Sequence, residues 1–144
     1  MSTGVDLEKL RQKVQYVRDT RRHLSAIRDR GRDVFLSDRI LEAAATRYLH
    51  TGIEAMIDAA NHIISREGLG LPKTYHEAMS LLLREGILPR EMASTLERMV
   101  KFRNRAVHLY DEISPEEIWG ILDNHLGDFE RFLEAIVRRY FMPE

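Results

Sequence analysis

Apolar residues recur three, four and seven positions apart at Leu7, Leu10, Val14, Val17, Leu24 and Ile27. That spacing predicts an amphipathic helix over residues 6–30, with Gly31 just past its end. A longer stripe of Ile40, Leu41, Ala44, Tyr48, Ile53, Met56, Ala60, Ile63 and Ile64 predicts a second helix. Ser37 is its expected cap and Gly68 and Gly70 its stop, near Arg66. Pro72 then turns the chain, and Thr74 with Glu77 forms a capping-box pattern for a short helix closed by Gly86. Pro89 suits the first turn of a fourth helix through Met92, Leu96, Met99 and Val100. Ser114-Pro115-Glu116-Glu117 offers an N-cap, a proline at the first helical position and a glutamate placed to reach back. The fifth helix is expected to run from there to Tyr140 through Ile118, Leu122, Phe129, Leu133, Ile136 and Val137. No stretch alternates with period two and no repeat is visible. The pattern predicts an all-α fold: an up-and-down bundle of four main helices plus one short helix, in one domain spanning residues 1–144.

Composition narrows the chemistry. The 144 residues contain no cysteine, which excludes a disulfide scaffold, a thiolate zinc site and a cysteine nucleophile. No apolar run approaches the ~18 residues of a membrane span, and MSTGVDLEKL lacks the apolar core of a signal peptide. The chain is therefore expected to be soluble and cytoplasmic. A formal net charge of −1 excludes a bulk polycation but hides an uneven distribution. Residues 1–32 carry nine basic and four acidic side chains, and the other 112 residues carry 13 and 19. The first helix thus presents either a solvated basic face or a surface for a polyanion, with Lys13, Arg18, Arg21 and Arg22 as its candidate contacts.

The phosphate-binding, nucleophile-elbow and zinc-helix motifs are absent. His23, His50, His62, His76 and His125 have ordinary helical spacing and read as surface or packing residues. His50, Glu54, Asp58 and His62 recur every four residues and form one polar line. Over ~18 Å of straight helix only neighbours in that line could share an ion, so it reads as a solvated or interface stripe. No convincing metal-ligand cluster is present.

The densest polar cluster is residues 101–110, Lys-Phe-Arg-Asn-Arg-Ala-Val-His-Leu-Tyr. At ~100° per residue Arg103 and His108 lie ~140° apart, whereas Asn104 and His108 share a face. Arg103 follows Met99 and Val100 by four and three residues and so extends the apolar stripe. A charge there is costly unless a cleft or a second subunit supplies a partner or a phosphate. The alternative is an ordinary helix end, where basic residues complement the dipole.

Arg103, Asn104, Val107, His108 and Tyr110 read R-N-x-x-V-H-x-Y, which resembles the R-x-x-x-x-H-x-Y signature of HEPN-superfamily ribonucleases, specifically the HepT toxins of the HepT–MntA type. The stretch from Ile53 to Ile63, the turn from Pro72 to Tyr75, Leu88-Pro89 and residues 99–102 are similar to that family too, so the likeness spans residues 5–140. It implies a HEPN-like fold and a metal-independent endoribonuclease without a cofactor, acting on RNA, tRNA above all, as a homodimer whose subunits share one cleft. Attack by the neighbouring 2′-hydroxyl needs one proton taken and one given, which an imidazole can supply near neutral pH. A fixed guanidinium stabilises the charge that gathers on the phosphate oxygens. The resemblance thus implies Arg103 as phosphate stabiliser, His108 as acid/base, Asn104 orienting either, and Glu54 supporting the cleft or pairing with an arginine. Lys13, Arg18, Arg21, Arg22 and Arg105 are the candidate RNA contacts. It also implies a partner, a minimal MntA-like nucleotidyltransferase antitoxin that transfers AMP from ATP to Tyr110 and so blocks the site. The alternatives are a non-catalytic HEPN domain that binds RNA or nucleotide beside a nucleotidyltransferase, or a purely structural helical dimer.

Overall fold

The structure is a computed structural model that describes residues 4–108 and 112–142. Its described residues form helices α1 (Leu7–Arg28), α2 (Arg32–Ser37), α3 (Arg39–Glu67), α4 (Tyr75–Arg84), α5 (Ala93–His108), α6 (Pro115–Asn124) and α7 (Gly127–Tyr140), with a 3-10 turn at Arg90–Met92 and no strand. The all-α architecture matches the expectation from periodicity. The long α3 is the axis. Helix α1 packs along it, α4 and α5 stack on it, and α7 closes against α1. Gly52 makes the closest approach possible, since a β-carbon there would lie 3.0 Å from Thr20 Cγ2 and 3.3 Å from Phe129 Cε1. Leu10, Leu24, Leu49, Met56, Ile57, Ile63, Phe129 and Phe132 fill the centre.

Three boundaries differ from the sequence expectation. Ser37 does not cap α3; it ends the extra short helix α2, where its hydroxyl donates to Val34 O at 3.1 Å. Asp38 is the cap, accepting from Ile40 N and Leu41 N. A carboxylate competes well for this place because it complements the positive end of the helix dipole. The extra turn is possible because Gly31 adopts φ +93° between α1 and α2. It also takes Ile40 out of the apolar stripe, leaving it 80% exposed.

The fifth predicted helix is broken into α6 and α7 at His125–Leu126. Asp123, Asn124 and His125 are weak helix formers and Gly127 is worse, so the local sequence lowers the cost of a break that tertiary contacts then hold. Leu126 and Phe129 are buried there, and Asp128 attracts Arg98 at 3.4 Å, Arg131 at 3.3 Å and His125 at 3.4 Å. Ser114 caps α6 as expected, accepting from Glu117 N at 3.1 Å. Glu117, however, does not reach back; it binds Arg105 of α5. Pro89 lies just outside its helix, preceding the 3-10 turn. No described helix is long and apolar enough to cross a membrane.

Candidate functional site

Helix α5 buries Leu96, Met99, Val100 and Phe102 and carries Arg103 on the side that faces α3. Residue spacing alone looked to a cleft or a second subunit for the partner of this arginine, while the family resemblance allowed Glu54 to pair with an arginine. The structure supplies it from the same chain: Arg103 Nε donates to Glu54 Oε1 at 2.5 Å. Arg103 Nη1 donates to Asn104 Oδ1 at 3.2 Å, and the Tyr75 ring lies 4.6 Å from Arg103 Cζ. The arginine side chain is only 16% exposed, so an unpaired guanidinium here would be expensive. Three constraints fix its plane: a carboxylate on one edge, an amide oxygen on the next and an aromatic face. Among the described residues Nη2 has no hydrogen-bond partner, which leaves one donor edge of a pre-set fork for an anion.

Glu54 is itself held from below. His50 Nε2 lies 3.4 Å from Glu54 Oε1, and Arg47 Nη1 lies 3.3 Å from His50 Nδ1. The line of residues 50, 54, 58 and 62 is thereby taken apart. Asp58 is exposed, and His62 Nε2 accepts from Asp6 N at 3.1 Å. No three metal-ligating side chains gather at one point among the described residues.

His108 is the last residue of α5 and is exposed, as is Asn104 one turn earlier. With the helix continuous from Arg103 to His108, the two side chains leave it on different sides, and one chain does not bring them together. Asn104 borders an open hollow of about 400 Å³ with Asn61, Lys73 and Tyr75. Tyr110 lies outside the described residues.

The basic residues separate into exposed and engaged groups. Arg18 and Arg22 of α1 are exposed, with Arg22 3.5 Å from Asp19. Lys13 is half-buried beside a hollow that also contains Tyr16, Glu54 and Asp58. Arg21 Nε lies 3.0 Å from Glu130 Oε1, tying α1 to α7. Arg105 makes a two-pronged bond to Glu117 at 2.5 and 3.0 Å, and its Nη2 lies 3.5 Å from the Glu112 carbonyl. It is a strut between α5 and α6, with its fork filled.

Tyr75 and His50 were missed by the sequence reading as parts of this site. Tyr75 had no signal beyond its place at a helix start. His50 had one, its position four residues before Glu54, which puts the pair on one face.

The family model described as ribonuclease HepT-like matches residues 6–136. The mRNA nuclease HepT of Shewanella oneidensis is 33% identical over 102 residues, covering 71% of this chain and 77% of that protein. The tRNA nuclease HepT of Aphanizomenon flos-aquae is 29% identical over 114 residues, covering 79% and 78%. Among solved structures, the tri-AMPylated Shewanella oneidensis HEPN toxin in complex with its MNT antitoxin superposes with a TM-score of 0.83 at 28% identity, covering 90% of this chain and 97% of that one.

Proposed function

The chain belongs to the HepT-like ribonuclease family, and on that premise we propose that it is the toxin of a toxin–antitoxin pair, an endoribonuclease restrained by AMPylation of Tyr110. The observation that carries the reading is the Arg103 fork, pinned by Glu54, Asn104 and Tyr75 with its Nη2 edge open. A phosphodiester oxygen is the complement of that edge. In the proposed step the 2′-oxygen attacks phosphorus and the P–O5′ bond breaks, giving a 2′,3′-cyclic phosphate and a 5′-hydroxyl. His108 exchanges the protons, Arg103 stabilises the charge on the non-bridging oxygens, and Asn104 orients the phosphate. No metal ion enters this scheme.

Arg103 and His108 diverge within one chain, so a phosphate held by both calls for a second copy. We infer a homodimer in which a two-fold axis sets the two motifs across one cleft. RNA is the substrate class, with mRNA and tRNA each named for a relative. Exposed Arg18 and Arg22, with Lys13 nearer the site, would follow the RNA backbone; Arg21 and Arg105 enter this role only by leaving their carboxylates. The partner is an MntA-like nucleotidyltransferase. AMP on Tyr110, two residues from His108, would bring a phosphate to the place the RNA phosphate needs.

The test is cleavage of a defined RNA by the unmodified full-length chain in EDTA, with the new ends identified by mass spectrometry. Cyclic phosphate ends from the parent, and none from Arg103→Ala or His108→Ala, are expected. RNA that is bound but never cut would instead assign the chain to a binding role. Intact mass after incubation with the partner and ATP reports AMP on Tyr110, and Tyr110→Phe is expected to stay unmodified.

A further inference from the structure

Deepening that reading, which it rests on for its catalytic readout, we propose that Arg47, His50 and Glu54 form a chain of polar contacts that orients the Arg103 guanidinium, with His50 as a positioning residue. The four side chains are linked atom to atom. Arg47 Nη1 meets His50 Nδ1 at 3.3 Å, His50 Nε2 meets Glu54 Oε1 at 3.4 Å, and the same oxygen accepts from Arg103 Nε. Arginine has donors and no acceptor, so His50 Nδ1 must accept from Arg47. The imidazole proton is therefore on Nε2, the nitrogen that lies 3.4 Å from Glu54 Oε1.

Its purpose follows from the flexibility of glutamate. Arg103 reaches Glu54 from another helix, and a glutamate with a single tether can swing and carry the guanidinium with it. A second polar contact from one turn earlier on α3 limits that swing on the face that meets α5. His50 is 19% exposed, with Arg47 bonded at Nδ1 and Glu54 Oε1 3.4 Å from Nε2. A merely solvated histidine would not be so placed. His50 and Arg47 lie behind the motif, lining a hollow with Ala106 and Val107, and touch no position proposed for the phosphate. They act through Glu54.

The test compares the full-length parent with His50→Leu, which keeps bulk and loses both links, and His50→Gln, which keeps one donor and one acceptor. On an RNA oligonucleotide, kcat for the leucine variant is expected to fall about ten-fold with KM within two-fold, because a misdirected Arg103 loses hold of transition-state charge more than of ground-state RNA. Glutamine is expected to recover most of the loss. In nitrogen-15 spectra the parent should show His50 protonated on Nε2 and a protected Arg103 Nε–H, the latter lost in the leucine variant and kept in the glutamine one. An unchanged kcat in the leucine variant, equal losses in both variants, or a proton on Nδ1 would overturn the proposal. A parent that cuts no RNA would remove the ribonuclease reading while the spectra still decide the contacts from Arg47 to Arg103.

Discussion

Arg103 and Glu54, 49 residues apart in sequence, meet Nε to Oε1 at 2.5 Å and join α5 to α3 through a largely buried ion pair. The carboxylate compensates a guanidinium that the packing would otherwise desolvate unpaired. Glu54→Ala should therefore lower stability by about 1–3 kcal/mol, less than a fully buried pair would cost because Glu54 keeps 27% of its surface in water. Urea unfolding measures this. Glu54→Gln keeps an acceptor oxygen and should recover at least half of that loss, while RNA cleavage falls in both variants. A glutamine variant as unstable as the alanine one would mean that charge, not the hydrogen bond, holds Arg103.

Arg103→Lys separates charge from geometry. Lysine keeps the positive charge but cannot bind Glu54 and a phosphate along two edges of one plane, nor stack as a plane on Tyr75. Cleavage is expected to drop by about two orders of magnitude, the scale of losing one oriented donor to transition-state charge. RNA affinity should change far less, since the net charge is kept. Fluorescence anisotropy with an RNA resistant to cleavage, set beside single-turnover rates, separates the two. Equal losses in affinity and rate would demote Arg103 to a binding contact.

The residue types of this site were legible in the sequence, and of their partners only Glu54 was, through the family resemblance. Arg103, Asn104 and His108 stand in one short motif, and periodicity gave the helix that bears them. From spacing alone, the inward turn of Arg103 could only be suspected from its place on the apolar stripe, because the spacing of one helix says nothing about the residue facing it on another. The same limit hid Tyr75, which lies across a turn and a helix start. Local signals placed most helix ends, as at Thr74 and Ser114, whose side chains cap as expected. They failed where a tertiary contact outweighed them, as where Glu117 is drawn from its capping role by Arg105, and at the α6–α7 break the apolar periodicity masked the weak helix formers before Gly127.

The floor under the site depends on one close helix crossing. A β-carbon at Gly52 already meets Thr20 Cγ2 at 3.0 Å and Phe129 Cε1 at 3.3 Å. Gly52→Val adds two further methyl groups between α1, α3 and α7, and should destabilise by about 2–3 kcal/mol despite the better helix propensity of valine over glycine. Thermal unfolding measures the change. Gly120→Ala, with open space around the new methyl, should leave stability equal or higher. If the two substitutions behave alike, the crossing is looser than described.

The start of α1 should respond to mild acid through His62. Burial, and then the positive charge of Arg66, hold this imidazole below its ordinary value of 6.5. Its Nε2 accepts from the Asp6 backbone at the helix cap, which a protonated ring cannot do. A histidine depressed in the folded state takes up its proton more readily once unfolded, so acid favours unfolding. Its contribution is whole above about pH 6.5 and is lost as pH falls through the lower folded value. The melting temperature of the parent should therefore drop as pH falls below about 6.5 more steeply than that of His62→Gln, whose amide oxygen can still accept from Asp6 without titrating. Amide exchange at Asp6, Glu8 and Lys9 should quicken over the same interval, since the Asp6 side chain caps the latter two amides. Parallel melting curves for parent and variant would show that His62 has no part in this acid sensitivity, and the cap at Asp6 would then have to stand without it.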